Sequence, residues 1–506
     1  MTLIVFFVLT YWNTINSPLE RDEGEYAYTA QLLDQGIMPY EHSFLQKPPM
    51  IVYTYWLGYQ LDSTAVWPFR LLGILFTLAT MVLLAAIAKK LYGQTAAWIT
   101  AWLAIPMLSP PFLTALNANT EKFMLLPLVG LLYLFLKEKE EQHWWRWLLA
   151  GSLFVLALGY KPIALLPGLF IIILSLIHAW RIKKNITKLL SYLLLGVLGG
   201  ITTGILMILV FWLNNALPYL WESAIQYNTF YASNFGQSFP GMFMNYAGRL
   251  WQYWWPLILI TVCSLWWRPI YWRLWWGLIL LSLLTVFTSP IGHYYLLLMP
   301  WWCLLTVATL RTMITKLKIN QAEWLRITYT AATSIVIIII IWPFTQQYFL
   351  SPRDLSDWIY GNNNPFVAAR LIAPRIQSIT KPDDKIFVAG SEPEIYYYSQ
   401  RISASRFDIT YPLNINTPVR DQYQQQAITD LQNNPPAAIV IVTSSLSNLW
   451  DQKSPRYFID YLNLTIQDNY QLIGAYVNTN QGIKWFDKNA EVDWSRASLI
   501  LFQRHS

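Results

Sequence analysis

Apolar runs of a length compatible with crossing a lipid bilayer recur along the first two thirds of this 506-residue chain. A spanning helix needs about 20 mostly apolar residues, and lipid leaves no partner for backbone groups outside helices and closed barrels. The sequence therefore predicts an α-helical polytopic membrane protein with about eleven transmembrane helices. A short N-terminal run is followed by ten others, at 70–88, 95–109, 121–136, 145–159, 162–180, 189–213, 251–267, 272–288, 293–311 and 326–344.

The composition agrees with a membrane protein and gives no sign of a nucleic-acid-binding one. Hydrophobic residues make up 55% of the chain and aromatic residues 16%. The net charge of +7 comes from residues 1–344, which hold 21 basic and 13 acidic residues, against 14 and 15 in residues 345–506. Basic loops of this kind set orientation in a membrane. Both cysteines, Cys263 and Cys303, fall in apolar runs, which argues against a disulfide framework.

The N-terminal run is unusual. About a dozen apolar residues follow Met1 directly, with no basic region before them and no small-residue cleavage site after them. This pattern does not fit a signal peptide, and the run is short for a span. We interpret it as a shortened first transmembrane helix that begins at a late start codon.

The distribution of basic residues predicts the orientation. Alternating the predicted spans places fifteen Lys and Arg residues in one set of loops and six in the other. The positive-inside rule then puts the first loop, residues 14–69, on the extracytoplasmic side. The six outer cations need another purpose, and binding a lipid-linked phosphate is one; ordinary headgroup contact is the alternative. They are Arg21, Lys47, Arg70, Lys122, Lys161 and Arg249.

The first outer loop concentrates acidic residues. Apolar side chains spaced along 22–35, followed by Gly36 and Pro39, predict a short amphipathic helix at the membrane surface. Its first turn carries Asp22, Glu23 and Glu25. The spacing of Asp22 and Glu25 also fits a capping box, which would explain these acids by helix stability alone.

A lysine stiffened by two prolines follows this helix, at Lys47-Pro48-Pro49. An acidic helix start and a later Lys-Pro step in the first outer loop resemble the GT-C superfamily of membrane glycosyltransferases. The closest likeness is to the aminoarabinose-transferase and protein-mannosyltransferase branch, which takes a sugar from a polyprenyl phosphate. Its pattern Asp-Glu-x-x-Tyr…Lys-Pro is matched here by Asp22, Glu23, Tyr26, Lys47 and Pro48.

The resemblance implies Asp22 as catalytic base, with Glu23, Tyr26 and Lys47 shaping the phosphate and acceptor site. One base and a good leaving group suffice for a single inverting displacement. Two departures from the branch pattern stand out. Glu25 replaces an arginine, which weakens phosphate binding there, and Gln46 replaces a glutamate, which predicts that no zinc or other metal site is present. No cofactor is expected.

Three later outer turns add candidate binding residues. Glu121 begins a predicted span after a cluster of Asn and Thr, so a helix cap is an equally good reading of it. Lys161 lies before Pro162 at a break between two apolar runs. His293 and Tyr294 open a late span, where headgroup contact is the simpler explanation of the histidine. The outer loop 214–250 is long, polar and aromatic, and we expect an unstructured binding or gating element.

Residues 345–506 predict a second, extracytoplasmic α/β domain after the transmembrane domain of residues 1–344. Its strands are predicted at 385–389, 437–442 and 498–502 and a helix at 418–432. Residues 389–392 lack the further glycines of a phosphate-binding loop.

The sequence thus favours a multi-pass plasma or inner membrane glycosyltransferase that uses a polyprenyl-phosphate-linked sugar and a lipid, protein or polysaccharide acceptor. A lipid or sugar transporter (flippase) is one alternative, and a catalytically inactive envelope-assembly protein is another. Every acidic residue before residue 344 can be placed in a loop or at a span end, which argues against a proton-coupled carrier.

Overall fold

The computed structural model describes residues 2–136, 143–235, 239–287, 291–316, 322–449, 454–479 and 482–505. The N-terminal part of these residues is helical, and the C-terminal part combines helices with a six-stranded sheet. The predicted fold class is confirmed. Three of the fifteen basic residues assigned to inner loops, Lys137, Lys139 and Lys318, lie outside the described residues.

Long helices form where the apolar runs predict them, joined by short 3₁₀ turns at Pro111–Leu113, Pro162–Ala164, Gly292–Leu298 and Trp342–Tyr348 and a π-helical turn at Trp221–Gln226. The helices are α1 (Thr2–Tyr11), α2 (Arg21–Asp34), α3 (Met50–Leu61), α4 (Trp67–Tyr92), α5 (Gln94–Leu108), α6 (Thr120–Leu136), α7 (Trp144–Tyr160), α8 (Leu165–Lys183), α9 (Ile186–Leu213), α10 (Leu217–Leu220), α11 (Tyr227–Phe235), α12 (Phe239–Trp267), α13 (Trp272–Phe287), α14 (Met299–Lys316) and α15 (Ala322–Ile341).

Five described helical segments are long and apolar enough to cross a bilayer: Trp67–Tyr92, Pro162–Lys183, Ile186–Leu213, Gly292–Lys316 and Arg326–Tyr348. Helix α9 is the most lipid-like of them, because large apolar side chains such as Leu194 and Leu206 are more than 60% exposed. Such a surface is stable only against lipid. The chain is therefore a membrane protein, and the count of about eleven spans stays a prediction.

Helices α7 and α9 approach each other through glycines. A Cβ added at Gly151 would lie 1.8 Å from the carbonyl oxygen of Gly196, and one at Gly199 would lie 2.0 Å from that of Leu148. Small residues at such contacts let backbones pack closely, which is how helices associate where lipid removes the hydrophobic driving force.

Helix α2 differs from the predicted surface helix. It begins and ends close to the predicted positions, but residues 23–32 are buried on every face. It lies between α3 and the C-terminal part of the chain, and Gly24 allows that close approach because a Cβ there would be 2.6 Å from Glu394. The prediction of a half-exposed amphipathic helix was wrong, since the C-terminal domain covers the face that the pattern assigned to water.

The long outer loop 214–250 was also predicted wrongly as unstructured. Apart from residues 236–238, which lie outside the described residues, it forms α10, the π-helical turn, α11 and the first third of α12. Its aromatic side chains pack on the C-terminal domain: Tyr227 is fully buried and its ring lies 6.2 Å from that of Tyr423. Tertiary packing supplies the order that the local pattern lacks.

The C-terminal part forms one mixed sheet in the order β2-β1-β3-β6-β4-β5. Strands β2, β1 and β3 are parallel, and β6, β4 and β5 join them antiparallel. The strands are β1 (Lys385–Ala389), β2 (Ile402–Ser403), β3 (Ala438–Val442), β4 (Tyr470–Thr479), β5 (Gly482–Asp487) and β6 (Ala497–Arg504); the helices are α16 (Pro352–Tyr360), α17 (Phe366–Ile379), α18 (Glu394–Ser399), α19 (Tyr411–Asn414), α20 (Arg420–Asn433), α21 (Ser445–Asn448) and α22 (Tyr457–Asn469), with a 3₁₀ turn at Trp494–Arg496.

The three predicted strands are β1, β3 and β6, at the centre of the sheet, and the predicted helix is α20. The sequence did not predict the hairpin of β4 and β5. Gly474 interrupts the alternating pattern of β4 at a register shift, where a Cβ would lie 2.4 Å from the carbonyl oxygen of Phe486. A glycine inside a strand often marks such a close backbone approach.

The first outer loop supplies side chains to both faces of this sheet. Tyr28 from α2 joins the core that contains Ile386 and Val388 of β1. Phe44 joins the core on the opposite face, with Phe387 of the same strand. Because neighbouring residues of a strand point to opposite faces, the loop holds the sheet from both sides.

We expect Gly151→Ala to destabilise the helical part. The added methyl group would collide with the backbone of α9, and overpacking of this kind costs about 1–3 kcal/mol. Thermal unfolding of the purified protein in detergent measures the loss. Gly204→Ala on α9 is the matched control, since its Cβ would meet only Val155, at 3.9 Å. Equal melting temperatures for the two variants would contradict the proposed helix contact.

Candidate active site

A capping box fixes the start of α2, two residues before the position predicted for it. Glu20 is the N-cap and accepts a hydrogen bond from the backbone N–H of Glu23 at 3.3 Å, while the Glu23 carboxylate accepts one from the N–H of Glu20 at 3.4 Å. The expected pair, Asp22 and Glu25, takes no part in it. Capping therefore does not explain Asp22, whose side chain is free to face a cavity.

Asp22 lies beside Lys47 at the cavity wall. Oδ1 of Asp22 is 3.5 Å from Nζ of Lys47, and the two side chains are 23% and 14% exposed. Two hydrogen bonds to backbone carbonyl groups hold the chain at Lys47. Tyr40 Oη donates to the carbonyl of Lys47 at 2.8 Å, and Asn228 Nδ2 donates to the carbonyl of Gln46 at 2.8 Å. The predicted pairing of these two charged groups across the first loop is present.

His293 connects this pair with a second one. Its Nε2 lies 3.8 Å from Oδ2 of Asp22 and 3.8 Å from Oε1 of Glu121. Glu121 is fully buried and forms a close ion pair with Lys161, whose ammonium lies 3.8 Å from the ring centroid of Tyr294. Five predicted site residues from four separate segments therefore converge around Asp22: Lys47, Glu121, Lys161, His293 and Tyr294.

These cations decide the protonation of Asp22. Burial acts to raise the pKa of its carboxyl group, but Lys47, followed by His293 and Lys161, lowers that pKa to about 2. Burial likewise acts to lower the pKa of Lys47, and Asp22 and Glu25 raise it above its ordinary value. Both groups are consequently charged across the physiological pH range.

Glu23 and Arg70 form a structural ion pair away from the cavity. Oε2 of Glu23 is 2.6 Å from Nη2 of Arg70, and both side chains are almost fully buried. Glu23 also accepts a hydrogen bond from the N–H of Ala118 at 2.7 Å, and Arg70 donates one to Asn117 at 2.7 Å. This pair ties α2 to α4 and to the turn before α6. The geometry does not support the predicted substrate contact of Glu23.

Tyr26 and Glu25 are also buried behind the cavity. The ring of Tyr26 packs edge-on against Tyr55 with centroids 5.2 Å apart, and its hydroxyl has no hydrogen-bond partner among the described residues. Glu25 is 2% exposed, and burial raises the pKa of its carboxyl group to about 8. Neither residue lines the cavity, so the predicted binding role of Tyr26 has no geometric support.

The cavity lies between the helical part and the sheet domain and has a volume of about 1340 Å³. Its membrane-proximal lining includes apolar groups such as Ile163, Ile225 and Ile291. Its opposite wall belongs to the C-terminal domain and is polar. That wall includes Asn363, Thr443, Ser444, Ser445, Asn478, Ser495 and Arg496.

Sequence reasoning missed this polar wall, and it named Arg21 only as one of the six outer cations. Arg21 lines the cavity and donates to the carboxylate of Glu392 at 2.8 Å, so it links α2 to the C-terminal domain. Its position beside Asp22 in the sequence was the available signal. The wall residues lie in several separate elements and turns more than 300 positions away and carry no motif, so only the fold could identify them.

Within the described ranges, no group of three or more His, Cys, Asp or Glu side chains is arranged to hold a metal ion. Gln46, which replaces the expected glutamate, is 6% exposed, and its Nε2 has no partner among those residues. The expectation of no metal site therefore stays a prediction.

Comparisons with known proteins bear on this arrangement. Residues 46–202 match the family model of dolichyl-phosphate-mannose-protein mannosyltransferase. The fold is similar to the crystal structure of ArnT from Cupriavidus metallidurans bound to undecaprenyl phosphate, at 14% identity, a TM-score of 0.55, and coverage of 99% of this chain and 97% of that chain. The predicted GT-C resemblance is confirmed.

ArnT from the same organism in the apo state gives a TM-score of 0.56 at 14% identity, with 98% of this chain and 97% of that chain covered. The similarity to the fold of ArnT thus extends over nearly the whole chain. The family model covers the segments of Lys47, Glu121 and Lys161 but begins after Asp22. No curated protein sequence is significantly similar to the chain.

We expect Arg70→Met to cost about 3–5 kcal/mol of stability, because it leaves the buried carboxylate of Glu23 without its cation. Thermal unfolding in detergent checks this, and the double variant Glu23→Gln/Arg70→Met should recover part of the loss. Asp421→Asn is the control: it breaks an ion pair whose carboxylate is 62% exposed, worth about 0–1 kcal/mol. A double variant as unstable as Arg70→Met would contradict the assignment.

Proposed function

We propose that this protein is a glycosyltransferase that moves a sugar from a polyprenyl-phosphate donor to an acceptor hydroxyl on the extracytoplasmic side, with inversion. One observation carries the proposal: a charged carboxylate, Asp22, lies 3.5 Å from Lys47 and 3.8 Å from His293 on the wall of a large cavity between the membrane helices and the α/β domain. Base and phosphate-binding cation are thus adjacent.

In the proposed step, the acceptor oxygen attacks the anomeric carbon of the donor sugar. A new glycosidic C–O bond forms as the bond between the anomeric carbon and the phosphate oxygen breaks, and Asp22 takes the acceptor proton. The bonding electrons leave with the polyprenyl phosphate. A single displacement of this kind inverts the anomeric configuration and needs no second carboxylate as nucleophile.

Lys47 is the group best placed to stabilise the departing phosphate. Its ammonium faces the cavity beside Asp22, whereas Lys161 is already neutralised by Glu121 and is 5% exposed on its side chain. Lys161 and His293 also line the cavity, where they hold Glu121 and favour the charged form of Asp22.

The low pKa of Asp22 is consistent with Asp22 as the base and Lys47 as the phosphate-binding cation. With Lys47 beside it, the carboxylate is a weak base, since its pKa is about 2. A bound phosphate attracts Lys47 and adds its own negative charge nearby, and both effects raise the pKa of Asp22. Asp22 thus becomes a competent base only when the donor is in place.

The two walls of the cavity suggest where each substrate enters. A polyprenyl chain remains in the bilayer, so the donor approaches along the apolar lining near Ile163 and Ile291. The acceptor then occupies the side of the α/β domain, where Ser445 and Asn478 offer hydroxyl and amide groups and Arg496 offers a cation. Such a wall suits a hydroxyl-rich acceptor.

The similarity to ArnT from Cupriavidus metallidurans supports the fold, and that protein was crystallised with undecaprenyl phosphate. The match of residues 46–202 to the dolichyl-phosphate-mannose-protein mannosyltransferase family supports the class of donor. The arrangement of Asp22 and Lys47 supports the use of a donor of this class by this protein.

We expect Asp22→Asn to abolish transfer, because the amide cannot accept the hydroxyl proton, while the melting temperature stays within a few degrees. The assay follows release of undecaprenyl phosphate, by mass spectrometry, from undecaprenyl-phosphate-linked pentoses and hexoses incubated with membrane extracts as acceptor. Asp34→Asn, at the exposed end of the same helix, is the matched control. Undiminished release by Asp22→Asn would refute the assignment, and lipid movement without sugar release would favour a flippase.

The orientation gives a separate prediction. A cysteine introduced at Glu491, exposed in the α/β domain, should react with a membrane-impermeant maleimide on intact cells, and a cysteine at Lys184, exposed after α8, should react only after permeabilisation. The native Cys303 is buried and Cys263 partly so. The reverse labelling pattern would place the cavity in the cytoplasm, where the proposed supply of donor fails.

A further inference from the structure

The segment that precedes Lys47 contacts a loop of the α/β domain that lies before α19. This loop, residues 404–410, contacts the first outer loop at residues 40–44, directly before Lys47. The two segments are more than 350 residues apart in the sequence. Because neither loop residue discussed below lines the cavity, their contribution is separate from that of the residues assigned above.

Asp408 anchors the backbone of the first loop. Its Oδ1 accepts a hydrogen bond from the N–H of Phe44 at 2.8 Å, and its side chain is fully buried. Oδ2 has no hydrogen-bond partner among the described residues. A buried carboxylate with one oxygen bonded to a backbone amide and the other without a partner reduces the free energy of unfolding. Stability alone therefore does not account for an acidic residue at this position.

Arg406 anchors the same loop four residues earlier. Its Nε donates to the carbonyl of Tyr40 at 2.9 Å, and its Nη1 pairs with Glu222 Oε2 at 2.7 Å. Its guanidinium also lies 5.2 Å from the ring centroid of Phe44. Tyr40 has a positive φ of 70°, a backbone conformation that non-glycine residues adopt only when their surroundings hold them there.

The side chain of Phe44 completes the anchor. Its ring lies 5.1 Å from that of Tyr227, 5.3 Å from that of Phe407 and 5.2 Å from that of Tyr423. Aromatic contacts at these distances favour one fixed ring position. Phe44 is thus held by the core of the α/β domain, only three residues before Lys47.

We propose that Asp408 and Arg406 are positioning residues for donor binding: they hold residues 40–44 so that the ammonium of Lys47 faces the phosphate site beside Asp22. The inference rests on the proposed function of Lys47. The path is continuous, because Tyr40, which Arg406 holds by its carbonyl, donates its hydroxyl to the carbonyl of Lys47 at 2.8 Å. The α/β domain is therefore a working part of the phosphate site.

Two substitutions at Asp408 distinguish the contribution of its hydrogen bond from that of its charge. Burial raises the pKa of Asp408 to about 7, while the N–H of Phe44 acts to lower it. The charged and neutral forms of Asp408 are therefore both populated near neutral pH, and Asp408→Asn keeps a neutral acceptor in its amide oxygen. Asp408→Ala removes it.

The experiment measures undecaprenyl phosphate binding to the purified full-length protein in detergent, by quenching of tryptophan fluorescence. With Lys47 present, Asp408→Ala should weaken binding about tenfold, equivalent to the loss of one ordinary hydrogen bond, whereas Asp408→Asn should stay within about twofold. In a Lys47→Ala background, Asp408→Ala should change the affinity by less than about twofold, because the residue it positions is gone.

Tyr470→Phe is the matched control. It removes a buried hydrogen bond, from the Tyr470 hydroxyl to the carbonyl of Pro436, in the same core as Phe44 but not to the first loop itself. We expect it to lower the melting temperature without altering lipid affinity. Hydrogen–deuterium exchange of the peptide that contains Phe44 should rise in Asp408→Ala and not in Asp408→Asn or Tyr470→Phe.

Three results would overturn the inference: wild-type affinity and exchange in Asp408→Ala, a loss in Asp408→Asn equal to that in Asp408→Ala, or an equal loss with and without Lys47. Wild-type affinity in Lys47→Ala would instead refute the phosphate role of Lys47 under the proposed function. Increased exchange at Phe44 in Asp408→Ala would still support the anchoring contact in that case.

Discussion

Charge pairing out of water is the constraint on which the rest of this structure depends. Three acidic residues near the outer ends of the helices are buried or nearly so, and each has a basic partner: Asp22 with Lys47, Glu23 with Arg70, and Glu121 with Lys161. A buried charge without a partner costs several kcal/mol, so each pair fixes the relative position of the helices that carry it. Asp22 and Lys47 both line the cavity, and this is the pair that we propose exchanges its partner for a substrate.

The same constraint explains why the first outer loop is so deeply enclosed. A loop that carries Asp22 and Lys47 in water would leave them screened and mobile. Here the α/β domain surrounds the loop, with Tyr28 in the core on one face of the sheet and Phe44 in the core on the other. Helix α2 thus has few exposed side chains despite its polar composition. The two parts of the chain form one site because the loop belongs to the cores of both.

Much of the fold could be predicted from the sequence, and less of the site. Long apolar runs predicted the helices, and short apolar runs predicted β1, β3 and β6, because these signals are local. The motif residues Asp22 and Lys47 do lie together, and His293 lies much closer to them than a headgroup contact implies. Glu23 and Tyr26 are buried and do not line the cavity, so the geometry gives no support to their predicted contact with substrate. A motif indicates that residues matter, but it does not separate a residue that binds substrate from one that supports its neighbour. The polar wall with Arg496 and the anchor at Asp408 depend on contacts between distant segments, which no local pattern encodes.

The insertion of Phe44 into the sheet domain also sets an order of events in biosynthesis. Phe44 and Asp408 are separated by 364 positions, so at 5–20 residues per second the ribosome needs on the order of tens of seconds to supply the second after the first. During that interval the membrane helices can insert and pack, while the α/β domain that covers the segment of Lys47 has not yet been synthesised. The helical part of the nascent protein is thus in the bilayer before the α/β domain can close on the first outer loop, and the last third of the chain completes the wall of the cavity.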